Sequence, residues 1–444
     1  MFDLSTSAIA VLLKLTNAIC RNKPCAHQIV TIFVSVKSAL AGLVLIIAPA
    51  AAQEFPPGVV DPYDAISDPV YSDPVFWWRM TNAPDNVFEP DPYFYWPEAV
   101  IFGPGSDFLP AANEGETSIP QADLEALASW AEERDTYALV IVHKGKVQFE
   151  RYWQQGAPDA QTNGRAITRS ITPMVLGFAV ADGDLDLKDS IGKYITEWQD
   201  DPRGDITVRQ LAQNSSGLEI APSLGLEVIH GNKDLCLVYC GDVVRAALAY
   251  DKTSEPDVKF EVAQENMQLL ALVIERAMGE PIQKILSERV WQKIGAADAA
   301  FQFDRPGGVA RVMCCMRATP RDWARFGTLI LDDGKWYGEQ VLPEGWVDTM
   351  ATPSLVNPRF GIGLWLGTPW VRMRTYWEGE PGVIPHVEPF VADDVRMMEG
   401  GGFRVIFTVP SEDLMILRLG NSQNPKWDHS YLVNTYLRTL WRDK

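Results

Sequence analysis

The chain has 444 residues, with 39 Lys and Arg against 58 Asp and Glu, a formal charge of −19. Charged residues make up 22% of it and hydrophobic residues 47%, which excludes a disordered or coiled-coil chain and supplies the core of one large or two ordinary domains. The acidic excess argues against nucleic acid, whose phosphates need a basic footprint, and against a polybasic contact with anionic lipid.

At the N-terminus, Lys37 precedes an apolar run from Ser38 to Ala48, which ends in Pro49-Ala50-Ala51-Ala52. A basic flank, a short apolar stretch and small residues at its end read as a bacterial-type secretory signal over residues 1–52. Cleavage after Ala52 would leave Gln53 first and deliver the chain to the periplasm or the medium. The residues before Gln28 read as an extension from an upstream start codon. Lys37 keeps the apolar run short of the roughly 20 residues that span a bilayer, so no stable membrane span is expected after processing. Loss of this net +3 segment leaves −22 on the exported chain.

Residues 53–119 are dense in Pro, Asp and aromatics (DPYDAISDPVYSDPVFWW, EPDPYFYWPE). Repeated Pro forbids long helices and central strands, and the aromatics must bury, so the segment reads as an extended arm over the main domain. From residue 120 the periodicity sharpens. Leu124, Leu127, Ala128 and Ala131 form the stripe of an amphipathic helix. YALVIVH (137–143) and KVQFERYW (146–153) flank Lys144-Gly145 as an antiparallel hairpin. A mostly helical stretch follows to about 350. FRVIFTVP (403–410) and DLMILRLG (413–420) make a second hairpin around Ser411-Glu412, and a closing helix covers roughly Ser430 to Trp441. Strands at both ends with helices between predict an α+β fold over 120–444: an antiparallel β-sheet flanked by helices, with an inserted helical lobe. Four cysteines follow the signal. An oxidising compartment permits a disulfide, expected to join the Cys236–Cys240 segment to the Cys314-Cys315 pair, with four buried thiols as an equal alternative.

Several ordered segments resemble the serine β-lactamase and penicillin-binding-protein superfamily, in particular its class C-like esterase and 6-aminohexanoate-dimer hydrolase branch. They are VIVHKGKVQFERYW, GFAVADGDLDLKDSIGKYI, ITVRQLAQNSSGLEIAP, NMQLLALVIERAMGEPIQKILSERVWQKIGA, ATPRDWARFGTLILDDGKWYGEQVLPEGW, FGIGLWL and VIFTVPSEDLMILRLGN. The resemblance implies a β-lactamase/transpeptidase-like fold with a Ser and a Lys in S-x-x-K, a Tyr from the helical lobe, and a Lys or His followed by a residue and Gly on a strand. Backbone N–H groups of the Ser and that strand would hold the oxyanion.

In GRAITRSITPMVLG the resemblance places Ala166 at the nucleophile and Arg169 at the lysine. In KFEVAQENMQLL, Val262 takes the Tyr position and Gln264 the third position. In MEGGGFRVIF, Gly401 takes the Lys or His position, followed by Gly402. Ala166 has no nucleophilic atom, Arg169 is too strongly basic to accept a proton, and Val262 offers none. Loss of such a nucleophile costs roughly 10⁶ in turnover. Pro173 removes a backbone donor to the Arg169 carbonyl and should distort the first turns of that helix.

Substitutes are few. Ser170 follows Arg169 directly, one residue and about 100° of helix beyond it. Ser190 and Lys193 match S-x-x-K literally but sit in a turn, and Ser215 and Ser216 belong to a loop below the site. Glu261, Glu265 and Glu399 flank the family positions and offer acid–base chemistry by another route. His143, His230, His386 and His429 are scattered, with His386 nearest the strand motif. The pattern contains neither a metal cluster nor a phosphate loop, and no cofactor is expected. The expectation is an exported pseudoenzyme of this fold that binds a small amide, ester or peptide-like ligand, with a rearranged ester, amide or β-lactam hydrolase as the alternative. A homo-oligomer or an active paralogue completes the set of expected partners.

Overall fold

The computed structural model describes residues 75, 76, 79 and 97–442, apart from 114, 155, 221–232, 378–381 and 422. The expected signal segment, the first part of the expected arm and His230 lie outside the described residues.

Six strands form the central sheet: β2 (Thr136–His143), β3 (Lys146–Tyr152), β9 (Trp365–Leu366), β12 (Arg396–Gly400), β13 (Arg404–Val409) and β14 (Leu414–Gly420). Their spatial order is β3-β2-β14-β13-β12-β9, and every neighbouring pair is antiparallel. Both predicted hairpins are therefore present, and the chain's last strand lies beside its first long one, Ile416 opposite Ile141.

β2 is buried along its whole length, which is why YALVIVH lacks a polar alternation. Its side chains still alternate between two cores. Leu139 and Ile141 join Phe407 and Ile416 against α1 (Gln121–Glu132) and the closing helix α10 (Tyr431–Trp441). The predicted stripe of α1 is the buried one, Leu124, Leu127, Ala128 and Ala131.

Val140, Ile406, Met415 and Leu417 face the opposite way, into the larger core shared with the helical lobe. That lobe includes α2 (Ile171–Asp182), α3 (Val208–Ala212), α4 (Lys233–Tyr239), α5 (Val243–Leu248), α6 (Gln264–Met278) and α7 (Ile282–Leu286). Against the same face of the sheet lies α8 (Pro320–Leu331), opened by Thr319, whose hydroxyl accepts the Asp322 N–H at 3.1 Å. Helix and sheet meet closely at Gly327, where a Cβ would stand 2.5 Å from Ile406 Cγ2. A short helix, α9 (Trp346–Met350), packs on α2. The architecture is α+β: two helices, an antiparallel sheet, and a helical lobe on the far side.

A second sheet has the order β1-β5-β6-β4, from β1 (Glu98–Ile101), β4 (Thr162–Asn163), β5 (Ala299–Gln302) and β6 (Met316–Ala318). β1 comes from the Pro-rich segment and takes an edge, where a missing N–H is tolerated. Two small ribbons complete the strands: β7 (Lys335–Trp336) with β8 (Glu339–Gln340), and β10 (Met373–Arg374) with β11 (Ile384–Pro385).

The disulfides depart from the expected cross-link. Cys236 pairs with Cys240 within one helical turn of α4, and Cys314 pairs with its neighbour Cys315. The two pairs lie in adjoining segments, with Tyr239 packed on the second. Each sulfur finds its partner locally, so neither bond ties the lobe to the sheet.

Candidate functional site

The site is built where the segment after β4 meets the edge of the central sheet. Asn163 Oδ1 accepts the Arg165 N–H at 2.7 Å, and Arg165 takes a left-handed φ of 54°. The chain then winds as a 3₁₀ helix from Arg165 to Ser170, and the α-helical geometry of α2 starts only at Ile171. Pro173 accordingly lies in the first turn of α2, where its missing N–H leaves no ladder bond broken. The expected distortion takes this form: the turns carrying Ala166 and Arg169 are 3₁₀.

On the sheet side, Gly400 of β12 backs directly onto this helix. A Cβ there would stand 2.4 Å from the Gly164 carbonyl and 3.1 Å from the Ala166 nitrogen, so only glycine permits the approach. The third wall is the start of α6. Val262 donates its N–H to the Tyr376 carbonyl at 3.0 Å, and Glu261 bridges Trp377, which brings the Tyr376-Trp377 pair beside the helix.

These walls enclose a cavity of about 340 Å³. Its lining includes Ala166, Arg169, Val262, Gln264 and Gly401, and also Ser170, Glu265 and Glu399. Five family positions spread over more than two hundred residues thus converge on one space. Gly402 does not join them. It takes a φ of 77° in the turn from β12 to β13, and its carbonyl accepts from Arg418. The strand's charged side chain in the cavity is Glu399.

The other nominated groups resolve clearly. Ser170 is buried and its hydroxyl donates to the Gly363 carbonyl at 2.6 Å. Ser190 donates to the Gly204 carbonyl while Lys193 pairs with Asp189 at the surface, so the literal S-x-x-K is a turn. Ser215 is bonded to Asp257 at 2.7 Å and Ser216 accepts the Leu218 N–H at 3.2 Å. His143 shares a hydrogen bond with Ser118, outside the cavity lining. His386 stands behind Glu399, its ring 5.1 Å from that of His429. Burial and the neighbouring His429 hold it neutral, with its pKa down to about 2. Among the described residues no cluster of His, Cys, Asp and Glu is arranged to hold a metal.

Electrostatically the cavity is divided. Burial alone would raise the pKa of Glu399, but Arg374 and then His429 outweigh it and hold the carboxyl well below its ordinary range. Arg374 is ion-paired to Glu399, and its guanidinium lies 3.9 Å above the Trp365 ring. His429 Nε2 stands 2.7 Å from Glu399 Oε1, and its Nδ1 accepts the Trp427 indole N–H at 2.9 Å, which places the imidazole proton on Nε2. Glu265 is the opposite case. It is 1% exposed, and burial drives its pKa well above the usual value, with Asp234 adding to the shift and Arg169 opposing it. Arg169 donates its Nε–H to the Met313 carbonyl at 3.0 Å.

Sequence reasoning missed the aromatic wall of Phe360, Trp365, Tyr376 and Trp377, together with Asp234. The density of Trp and Tyr between residues 365 and 377 was a signal that a cavity wall lay there, but nothing in the spacing tied it to position 262.

Comparison with known proteins decides the family. A family model described as Beta-lactamase matches residues 123–432. The chain belongs to the beta-lactamase family. Among its relatives, the 6-aminohexanoate-dimer hydrolase of Paenarthrobacter ureafaciens is 25% identical over 230 residues, which cover 49% of this chain and 58% of that protein. The chain therefore matches somewhat more than half the length of that relative. The solved structure of a "putative 6-aminohexanoate-dimer hydrolase from Bacillus anthracis" superposes with a TM-score of 0.60 at 19% identity, covering 80% of this chain and 94% of that one. An octameric penicillin-binding protein homologue from Pyrococcus abyssi gives a TM-score of 0.52 at 17% identity, over 72% of this chain and 77% of that one. Both structures share the beta-lactamase-family fold.

Proposed function

We propose that this member of the beta-lactamase family has given up acyl transfer by the family mechanism and uses the retained cleft to bind a small amide, ester or peptide-like ligand. The observation that carries this reading is Ala166 in the cavity wall, at the position the resemblance assigns to the nucleophile, with the nearby Ser170 hydroxyl spent on a backbone carbonyl. Without a nucleophile, neither Arg169 nor Val262 has an acyl-enzyme to make or resolve. The name of the 25%-identical relative supports an amide-containing ligand. Export through the N-terminal segment, and assembly with a second copy or an active paralogue, belong to the same reading; the octameric structural neighbour is consistent with the latter.

Glu399 and Glu265 share the cavity with their pKa values pushed in opposite directions, which favours the rival reading of a rearranged hydrolase. The direction of the Glu399 shift weighs against it. A carboxylate held low by Arg374 and His429 is a weak base near neutral pH, where general-base catalysis wants a pKa close to the working pH. Binding is the stronger reading.

Treatment with a fluorophosphonate and with a chromogenic β-lactam tests it. No covalent adduct is expected on the natural chain; stoichiometric labelling of any serine would sink the proposal. Restoring Ala166→Ser, Arg169→Lys and Val262→Tyr together should return labelling at residue 166, because Gly400 still holds the sheet edge against that backbone.

A further inference from the structure

The ligand-binding reading leaves open which end of a ligand the cleft holds. Two observations bear on this. Arg169 spends its Nε–H on Met313, while its two terminal nitrogens make no hydrogen bond and no ion pair with the described residues. Glu265, from the first turn of α6, lines the same cavity at 1% exposure, and its Oε1 has no hydrogen-bond partner. A free guanidinium fork matches the planar geometry of a carboxylate, and an orphaned buried oxygen at the same cavity is costly unless something fills its place.

We propose that the cleft contains a carboxylate subsite, in which the free fork of Arg169 and the unpartnered Oε1 of Glu265 together take the carboxylate of a ligand whose apolar tail lies on Phe360, Trp365 and Trp377. It rests on the ligand-binding reading and adds the chemical class: a monocarboxylate with an aliphatic or aromatic body. Glu265 acts here as a neutral acid, donating O–H to the ligand's carboxylate, a role suited to a carboxyl whose pKa burial raises. The charged and titratable groups facing Glu265 are Arg169 from the 3₁₀ helix, Asp234 from α4, Tyr250 after α5 and Glu219 after α3. Tyr250 donates its hydroxyl to one oxygen of Asp234 at 2.5 Å, and the Arg169 charge also acts on that carboxyl from across the cavity. The place is also apt. Arg169 stands where the family lysine would serve the nucleophile, and with Ala166 small and inert the ligand's head has room beside it.

The sign of the pH dependence follows. Binding requires Glu265 protonated, so affinity is full below its raised pKa and falls as pH rises through it, approaching tenfold per unit beyond. Titration of the full chain with 4-phenylbutyrate and with its neutral isostere 4-phenylbutyramide, followed by calorimetry from pH 6 to 9, reads this directly. The acid should bind at least tenfold more tightly than the amide at pH 6 and lose that advantage as pH rises. Arg169→Met should cut binding of the acid at least thirtyfold and leave the amide within threefold. Glu265→Gln, neutral at every pH, should flatten the pH curve. Equal affinity for acid and amide, or an unchanged pH slope in Glu265→Gln, would overturn the subsite while leaving the ligand-binding cleft standing. Covalent labelling of a serine would instead sink the binding reading and leave the subsite to be judged by the acid–amide comparison. Absence of binding by both probes overturns the subsite.

Discussion

The two faces of the central sheet make opposite demands on the sequence. On the face covered by α1 and α10, Leu139, Ile141, Phe407 and Ile416 need only be apolar and of suitable size. At the β12 edge, where the 3₁₀ helix meets the sheet, Gly400 permits the close backbone approach, while Ala166, Arg169 and Val262 line the cavity at the positions where the resemblance calls for Ser, Lys and Tyr. A scaffold held by many interchangeable contacts outlasts a site that depends on a few irreplaceable atoms. On the proposed reading, the fold is retained at the very positions where the reaction is lost.

The contrast is sharpest at Glu399, which lines the cavity and yet belongs to the support. Replacing it with Ala leaves the Arg374 guanidinium buried without its partner, and the cost is expected to be about 3–5 kcal/mol. The pH dependence has a definite sign. The folded-state pKa of Glu399 lies below the ordinary carboxylate value, so its contribution is complete above about pH 4–5 and is lost as pH falls through the acid range. Thermal melts between pH 2 and 7 should show a shallower acid decline in Glu399→Gln than in the natural chain. A parallel decline would place Glu399 outside the support.

On the other face the expected loss is of the ordinary core kind. Ile416→Ala removes a fully buried side chain at the junction of β2, β14 and the α1–α10 layer, for about 2–5 kcal/mol in denaturant unfolding. Binding at the cleft should survive in the folded fraction. If it disappears instead, the two faces are coupled and the division drawn above is too clean.

The degree to which each part could be read from sequence follows the same line. Both hairpins, α1 and α10 were legible because burial leaves a period: the α1 stripe and the apolar β2 run each have one simple reading. The convergence of Ala166, Arg169, Val262, Gln264 and Gly401 was legible only through ordered resemblance, since no local pattern links residues that far apart. Gly402 went to the turn and Glu399 came into the cavity because pleat alternation, invisible in a run of three glycines, sets which residue faces inward. Tyr376 and Trp377 were missed because a backbone bridge to residues 261 and 262, which no periodicity records, brings them to the site. The disulfides went astray because the oxidising-compartment argument joined the two cysteine segments, where partners within each segment sufficed.

Ser170 gives the smallest effect and the finest test of the contrast. As a dormant nucleophile it would belong to the chemistry; as a donor to Gly363 it belongs to the scaffold. Its hydroxyl ties the end of the 3₁₀ helix to Gly363, whose own φ of 73° and close approach to the Pro173 ring fix that loop. Ser170→Ala strips the buried Gly363 carbonyl of this donor, and about 1 kcal/mol should be lost in unfolding. Reactivity toward fluorophosphonate should not change, either in the natural background or after Ala166→Ser, Arg169→Lys and Val262→Tyr. If labelling in the restored background vanishes with Ser170, the adduct was on Ser170, four residues beyond position 166, and that hydroxyl belongs to the chemistry. If stability falls and labelling does not, the Ser170 hydroxyl serves the framework alone.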